Sequence, residues 1–159
     1  DRPREEWGST FRAWACSLGW SPSYQLVGSY GYNFFAASHP GSDSGSLLHW
    51  RTVDEKMPTS IPVFFDCAFS VFSTGEEMGA PPECGDSFDS QTTTRSVCMN
   101  RHEGGTNMCF LDGSVRKAGL KELWTLKWHR RFDTANRWTK AGGVQPEDWP
   151  EWMRKFKDY

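Results

Sequence analysis

The sequence predicts an α+β fold: an antiparallel β-sheet of four or five strands with long loops, closed by two short C-terminal helices. Three observations carry that expectation. Across residues 1–100, short apolar runs are separated by Gly, Ser and Pro, the pattern of short strands joined by turns. From Gly119 onward the apolar residues recur at three- and four-residue steps, the period of a helix with one buried face. Aromatic residues make up 15% of the 159, with nine Trp and eleven Phe, which excludes a disordered chain and supplies a core for one domain.

Taken in order, the predicted strands are Ser29–Phe35, Ile61–Phe69, Arg95–Asn100, Asn107–Leu111 and Ser114–Ala118. The stretch His39–Ser46 reads as a loop, and so does Ser73–Ser90, whose Pro81-Pro82 pair and turn residues forbid a regular element. In Leu120–Phe132, apolar Leu120, Leu123, Trp124, Leu126 and Trp128 predict a first helix. A second is predicted over Gln145–Lys157. Pro146, Glu147 and Asp148 suit its N-terminus, Arg154, Lys155 and Lys157 suit its C-terminus, and Trp149, Trp152, Met153 and Phe156 form one stripe. Pro150 falls in its first turn if the helix starts near Asp148. Residues 119–159 are thus expected to be a Trp-rich tail packed on the sheet, while residues 1–27 carry the weakest pattern.

Charge narrows the function. The net charge of −2 gives no global basic field for nucleic acid. It is unevenly shared: residues 1–113 hold seven Lys or Arg against fourteen Asp or Glu, and residues 114–159 hold eleven against six. The basic tail is therefore expected either to pack on its own acidic domain or to meet the acidic face of a neighbouring copy. No apolar run approaches the roughly 20 residues that span a bilayer. Enzyme motifs are missing. There is no GxSxG elbow, no GxGxxG or GxxxxGK[ST] phosphate loop, and the four histidines do not cluster in sequence. The cysteines, at 16, 67, 84, 98 and 109, are spaced too widely for a zinc knuckle. The acidic loop with Glu76, Glu77, Glu83, Asp86 and Asp89 is the one place a hard cation such as calcium is invited, although its spacing is not that of an EF-hand.

The most informative stretch is Arg101–Lys117, RHEGGTNMCFLDGSVRK. Gly104-Gly105 and Asp112-Gly113 are both two-residue hairpin signals, and the run between them is strand-like, which predicts a three-stranded meander. A type I′ turn at Asp112-Gly113 places Leu111 opposite Ser114, Phe110 opposite Val115 and Cys109 opposite Arg116. The first of these two strands is apolar on both faces and belongs in the middle of the sheet, and the second belongs nearer its edge. His102 and Asp112 invite a dyad reading. One turn and one strand separate them, however, on the order of 16 Å at about 3.3 Å per residue, so they are expected to mark a hairpin rather than share a proton or a metal.

His102, nine residues and then Asp112-Gly113 resemble the C-terminal signature of the prepilin-type processing-associated H-x(9)-D-G family, bacterial type IV pilin-like and type II secretion pseudopilin-like proteins. Gly28–Asn33, Pro62–Cys67, Cys98–Gly104, Gly113–Arg130 and Lys140–Tyr159 are similar to that family as well. The resemblance implies a non-enzymatic globular head of a surface filament or secretion pseudopilus, extracellular or at the cell surface, with other copies of itself or related subunits as partners. Members of that family begin with a basic leader and a long apolar helix. Membrane attachment is accordingly expected only through an N-terminal helix that lies outside this chain. Export favours disulfides, and Cys67 with Cys98 is the expected pair, since both fall in strands predicted to be neighbours. The alternative is an extracellular carbohydrate- or protein-binding module using aromatic-rich loops.

Overall fold

The computed structural model describes residues 8–17, 25–36, 47–52, 54–84 and 93–159. Among them the architecture is α+β. A hairpin of β1 (Trp14–Ser17) and β2 (Gln25–Gly28) stands beside a five-stranded sheet built from β3 (Tyr30–Asn33), β4 (Pro62–Asp66), β5 (Val71–Phe72), β6 (Gly105–Phe110) and β7 (Val115–Gly119). The strand order is β5-β3-β4-β6-β7, with β6 interior and β7 at an edge, as the apolar patterns predicted. The sheet is mixed, however. β5 runs parallel to β3, pairing Tyr32 with Val71 and Asn33 with Phe72, and this corrects the purely antiparallel expectation.

Three other expectations are corrected. The predicted strand Arg95–Asn100 is a 3-10 turn at Thr93–Ser96 followed by irregular chain, so β6 pairs with β4 and β7 and there is no meander. The hairpin between β6 and β7 is longer than a type I′ turn. The Phe110 amide donates to the Ser114 carbonyl at 2.9 Å, and Gly113 alone has positive φ, 81°. This is a three-residue loop with its glycine in the left-handed region. The register moves by one residue, setting Cys109 opposite Val115 and Met108 opposite Arg116. The helices are also shorter than predicted. In the first, the two-residue steps from Trp124 to Leu126 to Trp128 leave the helical period, and only Lys121–Trp124 forms a 3-10 turn. In the second, Pro150 forces Trp149 to extended backbone (ψ 142°). The segment divides into a 3-10 turn, Pro146–Asp148, and the single-turn α1 (Glu151–Arg154).

Loss of regular helix does not loosen the tail. Leu120, Leu123, Trp124, Leu126, Trp128, Trp149 and Met153 are buried with Phe65, Met108, Phe110 and Ala118 of the sheet in one cluster, and Trp152 and Phe156 pack against it. Each of the larger side chains contributes about 1.5–3 kcal/mol on burial. Buried polar groups take over the bonding a helix would supply. Asn33 donates to the Pro62 and Trp128 carbonyls at 2.9 and 2.8 Å, tying the sheet to the tail, and Asn136 donates to the Trp124 carbonyl at 2.8 Å. Lys121 is buried, pairs with Asp158 at 2.7 Å and lies 4.9 Å from the centre of the Trp149 ring. The tail therefore covers one face of the sheet. On the opposite face Tyr32, Phe64, Cys109 and Val115 stand in register across four strands, and Phe64 and Val115 are 55% and 73% exposed.

His129 is buried in the tail as a neutral imidazole. Its Nε2–H donates to the Gly75 carbonyl at 2.6 Å, and its Nδ1 accepts the Arg131 amide at 3.1 Å. Burial lowers its pKa below the ordinary 6.5, against the smaller upward pull of the Gly75 bond and of Glu76. The unfolded chain then takes up this proton before the folded one, so stability is lost as pH falls below about 6.5 and levels off below the folded pKa. Chemical denaturation between pH 7 and pH 5 will show a shallower loss for His129→Gln than for the parent, by at most about 1.4 kcal/mol per pH unit.

Candidate functional site

The densest polar constellation among the described residues lies where β3, β4 and β6 meet. Asp66 ends β4 opposite Tyr30, which opens β3. An acid at this point closes an apolar run, and its carboxylate is buried under three groups. The Asn107 amide donates to Oδ2 at 2.7 Å, His102 Nε2 lies 3.0 Å from the same oxygen, and Arg101 Nη1 lies 4.0 Å from Oδ1. A buried carboxylate is tolerated because each of these partners offsets its desolvation.

Arg101 is the hub. Its Nε and Nη2 donate to the Ser9 carbonyl at 3.1 and 2.6 Å, Nη1 donates to the Ser29 carbonyl at 2.7 Å, and Nη2 reaches the Arg12 carbonyl at 3.4 Å. One planar fork thereby joins the segment before β1, the β2–β3 junction and the end of β4. Burial lowers the Arg101 pKa and Asp66 opposes the shift, but a guanidinium remains a cation. Beyond Arg101 the chain turns sharply, with Glu103 at φ 47° and Gly104 at φ 82°. Glycine is required at 104 on two counts: the left-handed backbone, and a Phe156 ring that would stand 2.7 Å from a Cβ there. The turn is thus at Glu103-Gly104, one residue before the predicted Gly104-Gly105, and Gly105 opens β6 opposite Gly119.

Over this knot lies a recess of about 430 Å3. Asp66, Arg101 and His102 form part of its lining, Thr10 and Ser29 add hydroxyls, and Phe11 and Tyr30 stand at its rim, 90% and 58% exposed.

The structure separates the two signature residues. His102 meets Asp66, whereas Asp112 accepts from the Ser114 amide at 3.0 Å and the Ser114 hydroxyl at 2.6 Å, closing the β6–β7 loop with Gly113. These bonds hold the Asp112 carboxyl below its ordinary pKa. Sequence reasoning missed Asp66 and Arg101. The signals were present, a lone acid inside PVFFDC and the residue just before His102, but no spacing rule connects them.

The expected Cys67–Cys98 disulfide is absent, and both thiols are free. Its premise fails because Cys98 lies outside any strand, while β4, which precedes Cys67, is flanked by β3 and β6. Both thiols are buried, which raises the Cys67 pKa to about 11 and pushes Cys98 higher still. They act as small apolar groups. Of the proposed calcium ligands, Glu76, Glu77 and Glu83 are exposed, and Asp86 and Asp89 lie outside the described residues. Among the described residues no three His, Cys, Asp or Glu side chains converge as a metal site would need.

Comparison of the chain with protein-family models, with curated proteins and with solved structures found no match.

Two expectations follow. Arg101→Met, which leaves Asp66 buried without its guanidinium and removes the bonds donated to the Ser9, Ser29 and Arg12 carbonyls, will cost about 3–5 kcal/mol in equilibrium denaturation. His102→Gln, on the half-exposed side of the knot, will cost about 1–2 kcal/mol. Equal losses for both would refute the assignment of Arg101 as the hub. Alkylation of the native protein will label exposed Cys84 first and leave Cys67 and Cys98 unlabelled until denaturant is added.

Proposed function

We infer that this chain is a structural, non-enzymatic subunit of pilin- or pseudopilin-like character, exported and placed at the cell surface or outside it, with copies of itself or related subunits as partners. The observation that supports this reading is the use the fold makes of His102-x9-Asp112-Gly113. Its two ends are committed to architecture: His102 to the Asp66–Arg101 knot, Asp112-Gly113 to the loop that sets the β6–β7 register. A signature spent on strand ends and turns is what a building block of fixed shape needs, and the resemblance of the stretch to pilin-like heads gives that shape its role. The pilin-like character of the sheet belongs to this same proposal. No helix among the described residues is long and apolar enough to cross a membrane.

A second reading, an extracellular carbohydrate- or protein-binding module, is favoured by the open sheet face with its exposed Tyr30, Phe64 and Val115. The loop residue Phe11 is exposed beside these strand residues, whereas Trp14, Trp50, Trp124, Trp128 and Trp149 are all buried.

The test is localisation. The gene is expressed from its own start in its own host, and cells are labelled with antibody against this domain for electron microscopy. Label on surface filaments, or in the fraction sheared from cells, is the expected result. Label confined to the cytosol would overturn the reading.

A further inference from the structure

The uncovered face of the sheet carries two parallel rows, and their chemistry differs. The first is Tyr32, Phe64, Cys109 and Val115, each opposite the next. At about 4.8 Å between strands this row is on the order of 14 Å long. The second begins at Tyr30, passes Asp66 and Asn107, and ends at Lys117 on β7. At the Tyr30 end it opens into the recess over Arg101 and His102. An apolar strip and a hydrogen-bonding strip thus lie side by side and lead into one cavity.

The charges on this face are not balanced internally. Asp66 is consumed by His102, Arg101 and the Asn107 amide. The Lys117 ammonium reaches the Glu103 carbonyl at 3.4 Å, and among the described residues no carboxylate meets it. Lys157 lies 4.6 Å from the centre of the Tyr159 ring, whose hydroxyl rests against Gly119 beside Lys117. Glu122 at this corner accepts from the Gly119 amide at 3.1 Å and pairs with Arg116 at 2.7 Å, which leaves Lys117 and Lys157 to meet an anionic ligand.

We propose that the open face binds an acidic polysaccharide, a chain of uronate sugars lying along the Tyr32–Val115 row. A pyranose ring has an apolar face, which stacks on Phe64 and Tyr32. Its hydroxyls meet Tyr30 and Asn107, its carboxylates meet Lys117 and Lys157, and the chain end enters the recess. A second copy of this chain fits less well, because the polar row crosses the middle of the face and charged groups are depleted from the cores of protein interfaces. The proposal rests on the binding-module reading and is compatible with a surface filament that carries the site.

The experiment is affinity electrophoresis and calorimetric titration with polygalacturonate, with dextran and cello-oligosaccharides as neutral probes and polyglutamate as a polyanion without rings. Phe64→Ala and Lys117→Gln change exposed side chains, and thermal melting confirms that both remain folded. Polygalacturonate binding that each variant weakens at least tenfold, with polyglutamate bound weakly, is the expected result. Equal binding of polyglutamate and polygalacturonate, unchanged by Phe64→Ala, would overturn the stacking platform. Preference for a neutral glycan would overturn the acidic ligand while leaving the binding-module reading intact, whereas no binding to any glycan on an array would remove both. A protein dimer that Phe64→Ala converts to monomer would also overturn the proposal, by assigning the face to a second copy.

Discussion

Burial of the tail's indoles against one face of the sheet is the constraint on which the rest of the molecule depends. Trp128 packs edge-on against Phe65 at 5.1 Å and close to Phe72 at 4.5 Å, and Trp124 meets Trp149 at 5.3 Å. At about 1.5–3 kcal/mol for each large side chain, three such groups match the whole net stability of a small domain. That energy does not require a helix. Once Asn33, Asn136 and the Trp124 and Trp128 indole N–H groups satisfy the irregular backbone, the tail can follow the shape of the sheet. Covering one face fixes the other as the surface the protein presents.

The Arg101 knot solves a different problem. Short strands such as β1 and β2 hold little apolar area and cannot secure themselves to the main sheet by burial alone. A guanidinium that donates to the Ser9, Ser29 and Arg12 carbonyls fastens that segment through directional bonds, and Asp66 neutralises the charge this requires. The same knot leaves His102 at the surface beside Tyr30 and forms the floor of the recess. A structural clamp and a candidate binding surface are therefore built from the same few residues.

Charge follows the same division. Among the described residues, the ion pairs made by the Lys and Arg of residues 114–159 are Arg116–Glu122 and Lys121–Asp158, both internal to that stretch. Docking is driven by apolar burial, and apart from buried Lys121 the cations stay at or near the surface. Of the two arrangements the composition allowed, the tail packs on its own domain, and it does so through apolar side chains.

The sequence by itself determined what depends on local spacing. Short apolar runs bounded by turn residues marked β3, β4, β6 and β7, apolar residues on both faces put β6 inside the sheet, the Trp stripe required a buried tail, and Gly113 announced a left-handed turn residue. Pro150 was legible too, since the bias it places on Trp149 is a property of two adjacent residues. Only the tertiary structure decided the parallel pairing of β5, the one-residue register of the β6–β7 loop and the partnership of His102 with Asp66 rather than Asp112. Each of these joins segments whose relative position is set by the packing of the whole core. The energy that selects them is spread over distant side chains and leaves no periodic trace in the residues that end up touching.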